Sequence, residues 1–396
     1  MDADDVVITA GARTPFGKLG GALAPLSAID LGAAVIREVV SRSRVPVERV
    51  GHVIMGTVVP AGLGQIPARQ AAFKAGLPVE VPALTINKVC GSALKAVNLG
   101  ALLIRAGEAD VVVAGGMESM TNAPYLLDKA RFGYRMGHGS LIDSMIQDGL
   151  WSPTDDVHMG VYGTDGARDH NISREEQDRW ALRSQQRYAA ALAAGHFSEE
   201  IMPIAVPGPK GKTTTVDKDE APRPDTTYEA LASLKPAFQP DGTITAGNAP
   251  GVNDGAAALV LMRRSVAEEL GAPILATWIS SGEAALEPNR ISAVPAKAIN
   301  GALDKAKLRL RDMQLVEVNE AFAAVALVVS KILDLDPDKV NVDGGAVAIG
   351  HPIGASGARI LMHLIYSLRR EGLQYGVAGI CSGTAQGDAT VVRIER

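Results

Sequence analysis

The sequence is poor in cysteine and in aromatic residues. Its 396 residues include two cysteines, and phenylalanine, tryptophan and tyrosine together make up 4%. Cys90 and Cys381 lie far apart and form no paired spacing, so the sequence gives no indication of a disulfide framework. One long-range disulfide remains an alternative, but a reduced protein of the cytoplasm is the favoured interpretation.

Clustered positive charge and long apolar runs are also scarce. The chain has 39 Lys and Arg against 44 Asp and Glu, a net charge of −5, and no basic run. Neither nucleic acid nor an anionic membrane is therefore an expected partner. The start, Met1–Asp5, is acidic and lacks the positive and apolar regions of a signal peptide. No apolar run is expected to reach membrane-spanning length, which again favours the cytoplasm.

The rest of the composition is that of a globular protein, with 47% hydrophobic and 21% charged residues over a length that predicts two or three domains. Residues 1–120 alternate β-rich runs with helical patterns, which predicts an α/β half completed by about residues 253–273. Residues 121–252 are rich in Gly, Pro and Asp and hold one long helical pattern, at 174–194, which predicts an inserted loop or lid domain. Layered structure returns over residues 274–396.

An internal repeat links the two layered parts. Each part runs strand, bend, helix, short linker and strand, with Cys90 in the first bend and His351 in the second. The last strand of the second copy ends at Cys381. Two copies of one α/β unit place corresponding bends at one face, so the repeat predicts that Cys90 comes close to the polar bends of the second half.

Four bends carry residues capable of chemistry. Cys90 precedes a predicted helix at 92–106, whose positive end predicts a lowered pKa for the thiol. Asn319, His351 and Cys381 stand in the other three bends. Taken singly, each has a structural explanation: a core cysteine, a strand end or a satisfied histidine. Together they provide a nucleophile, a base, a second thiol and hydrogen-bond donors, which are the parts of covalent acyl transfer.

These bends also resemble a known family. The blocks Cys90-Gly91-Ser92, Asn319 to Ala323, Gly350 to Gly357 and Cys381 to Gly383 resemble, in this order, the motifs of the thiolases, and the similarity covers essentially the whole chain. The resemblance implies a thiolase-like fold, in which two duplicated α/β halves form a five-layered αβαβα core. The block His158-Met159-Gly160 is similar to the acetoacetyl-CoA (biosynthetic-type) members, which place a Met beside a short acyl pocket.

For the chemistry, the resemblance implies a division of roles. Cys90 attacks the thioester carbonyl and carries the acetyl group, and His351 takes its proton. Cys381 moves the α-proton of the second acyl-CoA. His351 and a water held by Asn319 stabilise the enolate oxygen, and the backbone N–H groups of Cys90 and Gly383 form the other oxyanion hole. The implied reaction condenses two acetyl-CoA to acetoacetyl-CoA and CoA, reversibly, with a coenzyme A thioester as substrate and no cofactor or metal.

The resemblance also implies where coenzyme A binds and how the chain assembles. Arg223 matches a position near the nucleotide, with a solvated loop arginine as the alternative. By similarity to tetrameric relatives, residues 121–145 are expected to mediate assembly of a homotetramer, a dimer of dimers. Further matches lie along the pantetheine and beside the acyl group: Leu234, Phe238, Ala246, His158 and Met159.

Five positions depart from the family pattern. Ala93, Thr384 and Ala385 stand where glycine is usual, and Ala230 and Pro250 stand where serine is usual. Because Thr and Ala reach a positive φ less readily than Gly, the loop after Gly383 is expected to differ. Three other functions remain open: a 3-ketoacyl-CoA thiolase for longer chains, a decarboxylating ketoacyl synthase, against which Cys381 argues, and a non-catalytic CoA- or lipid-binding protein of the same fold.

Overall fold

The computed structural model describes residues 2–395, within which the chain forms sixteen β-strands and eleven α-helices. The strands are β1 (Val6–Arg13), β2 (Gly17–Lys18), β3 (His52–Gly56), β4 (Ala83–Ile86), β5 (Val111–Ser119), β6 (Tyr125–Leu126), β7 (Ile142–Asp143), β8 (Trp151–Ser152), β9 (Val157–His158), β10 (Ile204–Pro207), β11 (Thr213–Val216), β12 (Asn253–Arg263), β13 (Ala276–Ala285), β14 (Leu315–Val318), β15 (Tyr375–Ser382) and β16 (Gln386–Arg393). The helices are α1 (Ala28–Ser43), α2 (Pro67–Ala75), α3 (Ser92–Ala106), α4 (Met159–Asp169), α5 (Arg174–Ala193), α6 (Tyr228–Ala232), α7 (Arg264–Leu270), α8 (Val294–Ala306), α9 (Ala323–Leu333), α10 (Ala346–Ile349) and α11 (Ser356–Arg370).

The main sheet repeats one topology twice. Its strands follow the order β4-β3-β5-β12-β1-β13-β16-β15-β14, and β2 pairs with β12. In the first half β3 pairs in parallel with β4 and β5, and in the second half β14 pairs in parallel with β15. Antiparallel strands complete each half, and a bridge from Val340 to Val316 takes the place of β4 in the second. The predicted α/β fold with duplicated halves is therefore confirmed.

Helices divide the structure into five layers. α1 and α2 cover the outer face of the first half, α8 and α9 cover that of the second, and α3 and α11 lie between the halves. Three clusters of buried apolar side chains fill the spaces between these layers. Burial of apolar surface stabilises the folded state by about 25 cal/mol per Å², so these clusters hold the layers together. The αβαβα core implied by the resemblance is confirmed.

The middle layer corrects one expectation. The segment 89–106 is by length and composition apolar enough to cross a membrane, so the prediction that no run reaches this length is wrong. In the fold 56% of the segment is buried, and α3 contacts strands of both halves as well as α11. A helix that contacts protein on several sides is apolar around much of its circumference.

Capping signals located helix starts well, whereas strand ends were less predictable. The side chains of Ser27 and Ser173 cap α1 and α5, each in a capping box closed by an acidic residue. The sequence predicts that β1 closes at Gly11, but the strand pairs with β12 as far as Arg13. Its position inside the sheet explains this, because partners on the neighbouring strand continue the hydrogen-bond ladder past a glycine.

Residues 121–252 lie between β5 and β12 and contain α4, which the sequence did not predict. This helix is rich in glycine, which disfavours helices. A Cβ added at Gly160 would lie 2.0 Å from the ring of Phe238, and one at Gly163 would lie 2.9 Å from that of Phe322. Close packing against two aromatic rings therefore requires these glycines and compensates for their low helix propensity.

Candidate active site

Cys90 lies in the tight turn between β4 and α3. Val89 before it has a φ of +44°, in the left-handed region that a β-branched residue rarely adopts. The hydroxyl of Ser92 donates to the carbonyl oxygen of Val89 at 2.6 Å and accepts from the N–H of Lys88 at 2.8 Å. The half-buried thiol is thus carried by a turn that is held on both sides.

The bends of the second half meet Cys90 in one cavity of about 530 Å³. His351 lies between α10 and α11, Cys381 lies near the end of β15, and Gly383 lies in the turn that follows. All three line this cavity together with Cys90. The duplicated topology accounts for the meeting, because the equivalent bends of the two halves face one another.

The hydrogen bonds of His351 determine which ring nitrogen is free. Its Nδ1 lies 2.6 Å from the hydroxyl oxygen of Ser356, and that hydroxyl donates its proton to the carbonyl oxygen of Pro352 at 2.9 Å. The hydroxyl has one proton, so it accepts from Nδ1–H of the imidazole. The Nε2 atom then carries a lone pair, and it is buried without a hydrogen-bond partner among residues 2–395.

Burial determines the protonation of the three groups. It raises the pKa of the Cys90 thiol, with the nearby Cys381 adding to the rise, and it raises the pKa of Cys381 to about 12. It lowers the pKa of His351 to about 3, with the charge of Arg359 adding to the fall. The predicted lowering of the Cys90 pKa is therefore wrong, because loss of water outweighs the backbone hydrogen bond that favours the thiolate. At neutral pH the imidazole is the group able to accept a proton.

Asn319 follows β14 directly and is fully buried, but it is not among the residues that line the cavity. Its Oδ1 accepts from Arg359 at 3.4 Å, and Arg359 also donates to Glu317 at 3.0 Å. This arrangement leaves Nδ2 of Asn319 buried with no partner in the described part of the chain. Buried polar groups are rarely unpaired, so this donor is available to a water or a bound molecule.

Most positions matched to coenzyme A contacts lie on the cavity wall. Leu234 does not line the cavity and instead packs against the outer core of the second half. Of the departures from the family pattern, Pro250 lines the cavity, Ala230 lies on α6 away from it, and Ala93 is buried in α3. The matched residues on the wall are Arg223, Phe238, Ala246, His158 and Met159.

His158 is fixed in this wall by stacking and by a helix cap. Its ring lies parallel to that of Phe238, with centroids 4.1 Å apart. Its Nδ1 accepts from the N–H of Gly160 at 3.0 Å, which caps α4. Burial lowers the pKa of His158, which favours the neutral ring. The remaining proton is then on Nε2, so His158 is a neutral hydrogen-bond donor in the wall.

An apolar cluster lies against the Cys90 thiol. Its fully buried members are Val58, Met120 and Ile353. Four more apolar side chains, which are partly buried, pack against this cluster: Val89, Met145, Leu150 and Val252. The thiol is therefore surrounded by bulky apolar side chains, which suit a small acyl group.

The turn after Gly383 has a left-handed backbone without further glycine. Thr384 has φ +56° and ψ +33°, and Ala385 has φ +50°. A residue with a Cβ pays roughly 1–2 kcal/mol for this conformation. The two departures from glycine therefore leave strain in the turn beside the cavity.

Replacement of Thr384 by glycine is expected to raise the free energy of unfolding by about 0.5–1 kcal/mol. The change removes the strain of a left-handed backbone at an exposed residue. This gain in stability is partly offset because glycine has a larger conformational entropy in the unfolded chain. Thr214→Gly is the matched control, since this exposed threonine lies in β11 and its replacement should destabilise. Urea denaturation measures both, and destabilisation by Thr384→Gly would contradict the strain argument.

Sequence reasoning gave no role to three residues at the site. Ser356 orients His351, Phe322 packs edge-on to Phe238 with centroids 6.4 Å apart, and Arg359 contacts Asn319. Ser356 and Phe322 stand inside the recognised motifs. Arg359 carried its own signal, because an arginine in an otherwise apolar helical pattern predicts a buried partner.

Two thiols and a neutral imidazole in one cavity, together with the buried, unpaired N–H donor of Asn319, are groups that covalent acyl transfer requires. They lie on a duplicated αβαβα core, and this combination of fold and groups is that of an acyltransferase. Among residues 2–395, no three His, Cys, Asp or Glu side chains come together as metal ligands would.

Comparisons with known proteins agree with this class. The family model for the thiolase N-terminal domain matches residues 6–265, and that for the thiolase C-terminal domain matches residues 272–394. An acetyl-CoA acetyltransferase of Pseudomonas aeruginosa is 51% identical over 97% of this chain and 98% of its own length, and one of Cupriavidus necator is 50% identical over 98% and 99%. The crystal structure of the Bacillus anthracis acetyl-CoA acetyltransferase superposes with a TM-score of 0.97 at 42% identity, covering 99% of both chains. The chain therefore belongs to the thiolase family.

Proposed function

We propose that the chain is an acetyl-CoA C-acetyltransferase, which condenses two acetyl-CoA reversibly to acetoacetyl-CoA and CoA. The observation that carries the proposal is the meeting of Cys90, His351 and Cys381 in one cavity. Relatives that are about 50% identical to this chain over nearly its full length are named for the same activity.

In the first half-reaction the Cys90 sulfur attacks the carbonyl carbon of acetyl-CoA. Nε2 of His351 takes the thiol proton, since this nitrogen has a free lone pair and the ring is neutral. A bond forms between the Cys90 sulfur and the acetyl carbon, the bond from that carbon to the CoA sulfur breaks, and the CoA thiolate receives the proton. The backbone N–H groups of Cys90 and Gly383 stabilise the oxyanion, each such donor being worth about 3 kcal/mol.

In the second half-reaction Nε2 of His351 takes the proton of the Cys381 thiol, and the Cys381 thiolate then removes the α-proton of another acetyl-CoA. A thiol with a pKa of about 12 is a strong base once it is ionised, which suits a weakly acidic C–H bond. The carbanion attacks the acetyl carbon on Cys90, the bond from that carbon to sulfur breaks, and the Nε2 proton of His351 passes to the Cys90 thiolate. Covalent transfer in two steps predicts ping-pong kinetics.

The enolate oxygen of the second substrate needs donors, and two buried nitrogens can supply them. Nδ2 of Asn319 acts through a water, and Nε2 of His351 acts directly. His351 presents Nε2–H in this step because it holds there the proton taken from Cys381. Nδ1–H continues to donate to the Ser356 hydroxyl, so this hydrogen bond holds the ring in place during the step.

The substrate is a coenzyme A thioester with a short acyl group, and no cofactor is required. Arg223 is proposed to bind near the nucleotide, with Phe238, Ala246, His158, Met159 and, more remotely, Leu234 along the pantetheine and acyl group. The apolar cluster beside Cys90 favours acetyl over longer chains. A location in the cytoplasm remains a prediction from the sequence.

Incubation with acetyl-CoA, followed by intact mass measurement, tests the proposal. One acetyl group is expected on the chain, and peptide mapping is expected to place it on Cys90. No adduct would contradict the proposal and favour a non-catalytic binding protein. Turnover of acetoacetyl-CoA against a medium-chain 3-ketoacyl-CoA then separates the proposed activity from that of a longer-chain thiolase, for which the second substrate would react faster.

We also propose that residues 121–145 assemble the chain into a homotetramer. Large apolar side chains are unusually exposed in this segment, with Phe132 at 88% and Met136 at 98%. Exposed apolar patches of this kind are typical of interaction sites. Sizing by light scattering is expected to give four chains, and a monomer would contradict the assignment.

A further inference from the structure

Ser382 connects the turn that carries Cys90 to the strand that carries Cys381. It follows Cys381 at the end of β15 and is fully buried. Its hydroxyl donates to the carbonyl oxygen of Lys88 and accepts from the N–H of Gly91, the latter at 3.3 Å. One hydroxyl therefore holds the backbone on both sides of Cys90.

The backbone held in this way is strained. Lys88 and Gly91 enclose Val89, whose φ of +44° is unfavourable for a β-branched side chain. Val89 also packs against Gly383, where an added Cβ would lie 2.9 Å from a methyl group of Val89. Strained backbone persists only where its surroundings restrain it. The two hydrogen bonds of Ser382 are such a restraint.

A second contact fixes the same turn to the same pair of strands. The ammonium group of Lys88 lies 2.7 Å from the carboxylate of Asp388, which is buried in β16. Asp388 is paired with Ile380 of β15, immediately before Cys381. The turn from the first half is therefore docked on the β15–β16 hairpin of the second half, and Ser382 is the next residue after Cys381 in this hairpin.

We infer that Ser382 is a positioning residue, which fixes the Cys90 thiol relative to Cys381 by clamping the strained turn at Val89 to the end of β15. The inference rests on the proposed function, because it concerns the two thiols that share the acetyl transfer. Both half-reactions depend on this placement. In the first, the clamp sets the spacing of the two oxyanion donors, the N–H groups of Cys90 and of Gly383 next to Ser382. In the second, the acetyl group on Cys90 must lie within reach of a carbanion generated at Cys381.

The variant Ser382→Ala tests the inference. Acetylation of Cys90 under single-turnover conditions is expected to slow about 10-fold or more, with KM for acetyl-CoA unchanged, because misplacement by about 1 Å can cost 100-fold in rate. The fold is expected to survive, since the N–H of Gly91 also donates to Lys88 O at 3.0 Å and neither group is left unpaired. Ser280→Ala is the matched control: its buried hydroxyl donates to Ala302 O at 2.7 Å, outside the cavity wall.

Repeating the Ser382→Ala change in a second variant, Val89→Gly, distinguishes a positioning role of Ser382 from a general loss of stability. Glycine adopts the left-handed conformation without strain, so in a Val89→Gly background the same Ser382→Ala change is expected to slow acetylation by about 3-fold or less. Equal slowing in both backgrounds, equal slowing by Ser280→Ala, or an unchanged rate in Ser382→Ala overturns the inference. Absence of an acetyl adduct on the unmutated chain would overturn the proposed function as well, and this failure is visible before any variant is compared.

Discussion

The Cys381→Ala variant is expected to accept an acetyl group on Cys90 at close to the normal rate and to lose condensation by about 10²–10⁴-fold. The first half-reaction uses Cys90 and His351, which this change leaves in place. The second requires a base at the α-carbon, and general acid–base catalysis typically contributes a factor of this size. Intact mass measures the acetylation, and release of acetoacetyl-CoA measures the condensation.

Cys381→Ser is the matched variant for this experiment. It keeps the size of the buried side chain but replaces the thiol with a hydroxyl that is far harder to ionise. Both variants should therefore lose condensation and keep acetylation. Recovery of condensation in Cys381→Ser would assign the thiol a packing role, and loss of acetylation in either variant would contradict the division of roles between the two cysteines.

Replacement of His351 by alanine is expected to slow acetylation of Cys90 itself by about 10²–10⁴-fold. Burial raises the pKa of the Cys90 thiol, so almost no thiolate is present without a base to take its proton. His52→Ala is the control, because His52 lies at the start of β3 and does not line the cavity. Normal acetylation in His351→Ala would contradict its assignment as the base.

The pH dependence of acetylation provides an independent check on His351. Burial lowers the pKa of His351 to about 3, which favours the neutral, proton-accepting ring down to low pH. An ordinary histidine, with a pKa of about 6.5, would be mostly protonated at about pH 5. Single-turnover acetylation is therefore expected to change little between about pH 8 and about pH 5. An acidic limb centred near pH 6.5 would show that the ring is not held neutral by its surroundings.

Local patterns and the repeat allowed much of this structure to be predicted from the sequence. α3 begins and ends at the predicted residues, Ser92 and Ala106, because a reactive bend and a glycine enclose an apolar helical pattern. The repeat predicted that the bends at Cys90 and His351 would meet. The family motifs then supplied Cys381 and Asn319, for which the residues alone left a structural explanation open.

What could not be predicted depends on contacts distant in sequence. α4 forms because its glycines allow aromatic rings from elsewhere to approach, and no local signal shows this. The raised pKa of Cys90 follows from the loss of water around its thiol where the two halves meet, which a helix-dipole argument does not include. Thr384 adopts a left-handed backbone against its own preference, because the hairpin around it determines the turn.

The position of residues 121–252 has a consequence for how this enzyme can diversify. They leave β5 after Ser119 and return to β12 before Asp254, and these two residues are direct partners across the ladder. Partners of this kind lie about 4.5–5.5 Å apart. The whole segment, with Met159 and Phe238 on the cavity wall, is in topological terms the loop of one β-hairpin. Changes to its wall residues need not shift the strand register, so substrate choice can evolve while the two thiols and the imidazole stay where they are.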